Sequence, residues 1–182
     1  MTRRESDDTD RLVEQWHAVV PDIDPKVERV VDRVLISARY LDRLASDLAA
    51  KHSLQRPDYE ILARLFWVGP PHRLRPSQLA AGTMTAATTV TSRLDRLQKR
   101  GLITRAADPD DRRSMTAQLT HEGHTLFQRI VSEQATIERE IFEGLSAAQL
   151  DTLARLLNRT MTLLEDRLGA APRRVTLALS GE

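Results

Sequence analysis

The chain has no cysteine among its 182 residues. Disulfides, thiolate metal sites and thiol-based redox sensing are therefore excluded. Aromatics are scarce, with three Phe, two Tyr and two Trp, so Leu, Val, Ile and Ala must fill any core. The seven glycines are scattered and form no phosphate-binding loop, and no serine stands in a nucleophile-elbow context. No apolar run approaches the roughly 20 residues that span a bilayer. The polar start, Met1–Asp10, is unlike a signal peptide. The expectation is a cytoplasmic protein with no membrane partner, no cofactor, no metal and no catalytic residue. Its length suffices for one domain, or one domain with an extension, around a sizeable core.

What is present is concentrated between Leu74 and Thr120. Pro76 suits the first position of a short helix, where a missing N–H costs nothing, and Gly82 breaks the apolar run Leu79–Ala81. Thr85 is placed to cap a second helix. In that helix Val90, Leu94 and Leu97 recur at i, i+4 and i+7 and form one buried stripe. The opposite face carries Thr88, Ser92, Arg96 and Lys99, with Thr89 and Asp95 among them. Hydroxyls and cations so grouped suit phosphate oxygens and base edges. Gly101 stands where the helix ends. Leu102–Arg105 and Met115–Leu119 have strand character, and the turn-rich AADPDDRRS between them carries Asp108, Asp110, Asp111, Arg112 and Arg113. Helix, turn, helix, hairpin is a winged helix-turn-helix, with one helix for the major groove and a basic wing tip for the backbone or minor groove.

The net charge of +1 says little about nucleic acid, but its distribution says more. From Arg64 to Arg105 the cations are Arg64, Arg73, Arg75, Arg93, Arg96, Lys99, Arg100 and Arg105, opposed by Asp95 alone, whereas both flanking segments hold more acids than bases. A basic patch coincides with the proposed DNA reader.

Around the reader the chain is helical by pattern. Residues 6–20 form an amphipathic helix with Leu12, Val13, Trp16, Val19 and Val20 on one face, stopped by Pro21. Asp24 and Pro25 open a long helix whose stripe (Val27, Val30, Val31, Val34, Ala38, Leu41, Ala45, Leu48) is longer than a small core needs, which points to packing between subunits. A shorter helix over 57–66 offers Tyr59, Ile61, Leu62 and Leu65 to the core, and Arg73–Arg75 is placed to add a minor third strand. Thr120 caps a further long helix bearing Phe127, Ile130, Val131, Ile137 and Ile141. Ser146 and Gln149 make a capping box for the last helix, lined by Leu150, Leu153, Leu156, Leu157, Met161 and Leu164 and ended by Gly169. The expected fold is mostly α, a winged helix-turn-helix with long dimerisation helices at both ends and a small β wing. Its expected segments are 1–51, 52–119, 120–169 and a tail, 170–182. Two readers on a helical frame would meet major grooves roughly 34 Å apart on a palindromic site.

The run DPDDRRSMTAQLTHEG, preceded by SRLDRLQKRGLITR, resembles the wing and recognition helix of the MarR family of bacterial transcription regulators. The resemblance covers roughly residues 25–168 and implies a homodimeric repressor that binds double-stranded operator DNA and is released by a small molecule. It also implies that Arg113 enters the minor groove while Asp111 orients its guanidinium. Trp16, Glu60, Arg93 and Arg105 resemble the tryptophan–acid–arginine–arginine set of the urate-responsive branch, which has an extra N-terminal helix. The acid is usually Asp in that branch and is Glu60 here. The ligand implied is a small anion, such as urate or a related purine or carboxylate. Two guanidiniums would grip it in a planar, bidentate way while an indole stacks on it. Its charge would reposition Arg93, or break a Glu60–Arg105 pair and so move the wing. By its helical angle Arg93 lies on the flank of the second helix, from which an arginine can turn inward.

Plainer readings stand beside these. Trp16 can be a hydrophobic anchor, Arg93 and Arg105 can serve phosphates or internal pairs, and Arg96 and Lys99 can touch phosphate as well as base. His121 and His124 are three apart, not the four of a zinc-protease helix. The alternatives to a regulator are a helical metal-dependent enzyme using these histidines and a protein-interaction dimer that does not bind DNA.

Overall fold

The computed structural model describes residues 8–83, 87–108 and 114–169. The elements in chain order are α1 (Asp8–Val19), α2 (Pro25–Lys51), α3 (Arg56–Trp67), β1 (Arg73–Leu74), α4 (Pro76–Thr83), α5 (Ala87–Lys99), β2 (Ile103–Ala107), β3 (Met115–Leu119), α6 (His121–Phe142) and α7 (Ala147–Leu168). The mostly helical class with a small sheet is thus the one expected. The chain divides into two compact units, residues 1–47 and 48–182. No helix among the described residues is long and apolar enough to cross a membrane.

In the first unit the Asp24 carboxylate accepts the Lys26 amide at 2.8 Å, and Pro25 takes the first helical position of α2. The Asp10 carboxylate on α1 lies 3.0 Å from both Arg29 Nε and Arg33 Nη2 on α2. Of the apolar face expected on α1, only Val13 is buried; Leu12, Trp16, Val19 and Val20 stay open. Along α2 the stripe behaves likewise, with Val27, Val30, Val31 and Val34 open.

The second unit has a continuous core. Leu54 and α3 (Ile61, Leu62, Leu65), Leu79 of α4, Val90, Leu94 and Leu97 of α5, Ile103 of β2, Ala117 of β3, and Phe127 and Ile130 of α6 are all buried. Tyr59 contributes its ring against Phe127, at 5.3 Å between centroids, while its hydroxyl donates to Gln134 Oε1 at 2.9 Å. Lys51 and His52, at the end of α2, both meet the Glu133 carboxylate of α6. The Lys51 hydrogen bond is the main cause that lowers the Glu133 pKa.

The sheet has the order β1–β3–β2, all antiparallel. Its register sets Ile103 opposite Leu119 and Ala107 opposite Met115. β2 extends two residues nearer the wing tip than hydrophobicity alone suggests, because backbone pairing continues through Ala106 and Ala107. Gly101 has a φ of +71°, and the Leu102 amide returns to Leu97 O at 3.0 Å, so α5 closes in a left-handed cap. Thr120 accepts the Gly123 amide at 3.0 Å and donates to Gly101 O at 2.7 Å, which locks the start of α6 to the end of α5. The Ser146–Gln149 capping box forms as expected, and Gly169 is the C-cap of α7.

Candidate nucleic-acid interface

Helix α5 packs on the core through Val90, Leu94 and Leu97, as its period requires. Ser92 and Lys99 are exposed on the other side. The backbone at Thr88 and Thr89 belongs to α5, but their side chains, together with Thr85, Asp111, Arg112 and Arg113, lie outside the described residues.

Six arginines of the basic segment have partners within the fold. Arg96 donates from Nη2 to Asp58 Oδ1 at 3.0 Å, and Arg93 Nη1 stands 3.6 Å from the same oxygen. Arg105 pairs through Nη1 with Asp95 at 2.8 Å and donates from Nη2 to Thr91 O at 3.0 Å. Arg100 donates to the carbonyls of His52 and Ser53, at the C-terminal end of α2, where a cation complements the helix dipole. Arg73 donates to Gln118 Oε1 at 2.9 Å, and Arg75 pairs with Asp108. The reading of a patch opposed by Asp95 alone is therefore corrected. Asp58 and Asp108 lie outside the counted stretch in sequence but meet its cations in space.

The Glu60–Arg105 pair suggested by the sequence is corrected as well. Glu60 pairs with Arg56 one turn earlier on α3, at 3.2 Å, and Arg105 takes Asp95. The carboxylate beside Arg93 is Asp58, two residues before Glu60. Arg93 does turn inward from the flank of α5, with its side chain 18% exposed. Among the described residues its Nε and Nη1 have no hydrogen-bond partner. Trp16, in the other unit, is half-exposed. Sequence reasoning missed Asp58. Its signal was the spacing Gln55-x-x-Asp58, and Asp58 Oδ2 does accept the Gln55 amide, at 3.3 Å.

Asp108 anchors the wing. Its amide donates to Ser114 O at 2.9 Å, closing the base of the hairpin, and its carboxylate meets the Arg75 guanidinium just before α4. The Asp108 side chain is 6% exposed and that of Arg75 is 42% exposed, so the two ends of the pair differ in what their loss costs. Removing the arginine takes a cation away from a buried charge, whereas removing the acid leaves a cation that water can reach. Arg75→Ala is expected to lower unfolding stability by about 2 kcal/mol in urea titrations, and Asp108→Asn by about 1 kcal/mol or less. Equal losses would reject this account of the wing base.

His72 and His124 are occupied within the fold. The His72 ring nitrogen Nδ1 lies 3.1 and 3.0 Å from the carbonyls of Leu65 and Phe66. His124 packs on Phe66 at 4.8 Å and on His72 at 5.1 Å between ring centroids. Among the described residues no three His, Cys, Asp or Glu side chains gather as a metal-binding set.

Comparison with known proteins places this geometry. The family model described as MarR family matches residues 54–115, from the start of α3 to the start of β3. The chain is 35% identical over 148 residues to the HTH-type transcriptional regulator PecS of Dickeya dadantii (strain 3937), which covers 81% of this chain and 89% of PecS. It is 29% identical to the transcriptional repressor MprA of Escherichia coli (strain K12), over 52% of this chain and 53% of MprA. Among solved structures it resembles a mutant MarR from E. coli complexed with operator DNA, with a TM-score of 0.59 and 18% identity, over 80% of this chain and 97% of that one.

Proposed function

This chain belongs to the MarR family of DNA-binding transcription regulators, which are not enzymes, and from that premise we propose that it acts as a homodimeric repressor released from a palindromic operator by a small anionic ligand. The observation that carries the reading is the double character of α5. Ser92 and Lys99 are exposed on the outer side of a helix whose inner side is core, while Arg93 on its flank turns in beside Asp58 with two guanidinium nitrogens that make no hydrogen bond among the described residues. One helix thus offers its outer face to DNA and an inward cation to an anion. MprA is named a repressor, and the MarR structure holds operator DNA, which supports the same role here.

In this reading Thr85, Thr88, Thr89, Ser92 and Lys99 line the DNA side; Arg96, expected among them, has its guanidinium on Asp58 instead. By resemblance Asp111 orients Arg113 at the minor groove, and Arg112 is a further DNA contact of the wing tip. Arg93 and Arg105 take the anion in a planar grip, and the resemblance adds Glu60 and the Trp16 indole to the ligand's partners. Urate, a related purine or a small carboxylate fits that chemistry. Release follows only if the anion prefers the arrangement of α5 that does not fit the duplex.

The test is a titration of urate, xanthine and citrate into the protein–operator complex. The expected result is release by at least one of them. Arg93→Ala and Trp16→Ala are expected to raise the anion concentration needed by about tenfold, the loss of one strong polar or stacking contact. Release by none of the anions, or release unchanged in both variants, would reject the ligand reading. A wild type whose operator affinity does not fall steeply with salt would reject the DNA reading, because phosphate contacts release counterions.

A further inference from the structure

The role given to α5 leaves one buried ionisable group unused, Asp58. The residue is 1% exposed, sits in the first turn of α3 and is flanked by two guanidiniums of α5. A carboxylate so placed requires a cation, and the nearer of the two, at 3.0 Å, is Arg96. The two arginines differ. Arg93 is mostly enclosed, whereas the Arg96 side chain is 42% exposed and lies one turn before Lys99 on the side that carries DNA contacts. One guanidinium therefore has a buried carboxylate on one side and solvent on the other. On a duplex, two negative groups compete for it, Asp58 from inside and a phosphate from outside.

We propose that Asp58 withholds Arg96 from phosphate and so makes the protein discriminate between its operator and other DNA. Binding to any duplex is phosphate attraction with no sequence content, and each free cation strengthens it. A guanidinium that must abandon a buried carboxylate to reach a phosphate adds little to that attraction. Operator binding uses base contacts and a fixed α5, and pinning two arginines of α5 to α3 holds that helix in place. Asp58 is thus a positioning residue that sets the specificity ratio. This inference rests on the DNA-binding reading above.

The experiment is a double-substitution cycle of wild type, Asp58→Asn, Arg96→Gln and the pair. Each is titrated with operator and with an unrelated duplex across a salt series. Asparagine can still accept the Gln55 amide, so the cap of α3 survives. Asp58→Asn is expected to tighten binding to the unrelated duplex by about threefold to tenfold and to steepen its salt slope by about one. Arg96→Gln alone is expected to change that binding by less than about twofold, and in the Asp58→Asn background to remove the gain. The proposal is overturned if Asp58→Asn weakens binding to both duplexes with an unchanged slope. It is also overturned if Arg96→Gln costs the same in both backgrounds. Should Asp58→Asn fail to fold, Arg96→Gln alone decides, because an unchanged slope supports the proposal and a slope lower by about one overturns it. A wild type that binds no duplex overturns both this and the DNA-binding reading, whereas binding without coupling overturns this one alone.

Discussion

Leu157→Glu is expected to convert the protein to a monomer in sedimentation and to weaken its operator complex by about a hundredfold or more. The reason lies in α7, of which no residue is buried. Leu150, Leu153, Leu157, Met161, Leu164 and Leu168 recur on one side of this helix, every one of them between 38% and 77% exposed. Such a stripe on a two-ended helix is not stable in water by itself and requires a partner surface. In a two-fold assembly the same patch meets itself, so a single substitution acts twice.

The magnitude follows from burial. Each large aliphatic side chain removed from water contributes about 1.5–3 kcal/mol, and the substitution removes two copies while adding two charges to an apolar surface. Loss of the dimer then makes each half-site bind alone. Linked modules exceed single ones by about a hundredfold to ten-thousandfold, which sets the scale of the expected loss. Leu157→Ala should fall between, with dimers that dissociate on dilution. A Leu157→Glu protein that still sediments as a dimer and binds its operator normally would end the homodimer reading.

How much of this was legible beforehand depends on how local each feature is. The caps at Asp24, Thr120 and Ser146 and the helix end at Gly101 are set by side chains within a few residues of the backbone groups they satisfy, so the sequence shows them directly. The stripe of α5 was legible for the same reason, and so was the flank position of Arg93, since both are angles around one helix. What the flank position could not show is the partner. Asp58 and Glu60 are both acids near the start of α3, yet two residues of helix turn one toward α5 and leave the other beside Arg56. Resemblance favoured Glu60, while the packing of α3 against α5 brings Asp58 to Arg93 and Arg96. The charge of the reader was misjudged in the same way. Asp58 and Asp108 fall outside the basic stretch along the chain and join it only through contacts across 35 and 33 residues, with Arg93 and Arg75.

Gly123→Ala is expected to destabilise the fold by about 3 kcal/mol or more, although helix propensity alone predicts the reverse. Gly123 lies in the first turn of α6, where alanine would normally favour the helix by about 1 kcal/mol. Here the residue is buried, and a Cβ would overlap the carbonyl oxygen of Leu102, with the carbonyl carbon at 2.9 Å and Leu119 Cδ2 at 3.2 Å. That carbonyl cannot move aside cheaply, because it accepts the Thr120 amide at 3.1 Å and follows the left-handed cap at Gly101. Overpacking a flexible side chain costs about 1–3 kcal/mol, and an obstacle made of hydrogen-bonded backbone belongs at or beyond the upper end. For a chain of this size the midpoint of thermal unfolding should fall by roughly 6–12 °C. Gly144→Ala is the control, since a Cβ there meets nothing within 4 Å, and it should leave the midpoint unchanged. The operator affinity of any folded Gly123→Ala protein should drop too, because the contact that must open joins α5, β2 and α6 at the root of the wing. A melt in which both alanine variants match the wild type would show that the approach of α6 to Leu102 is not the constraint that fixes the wing.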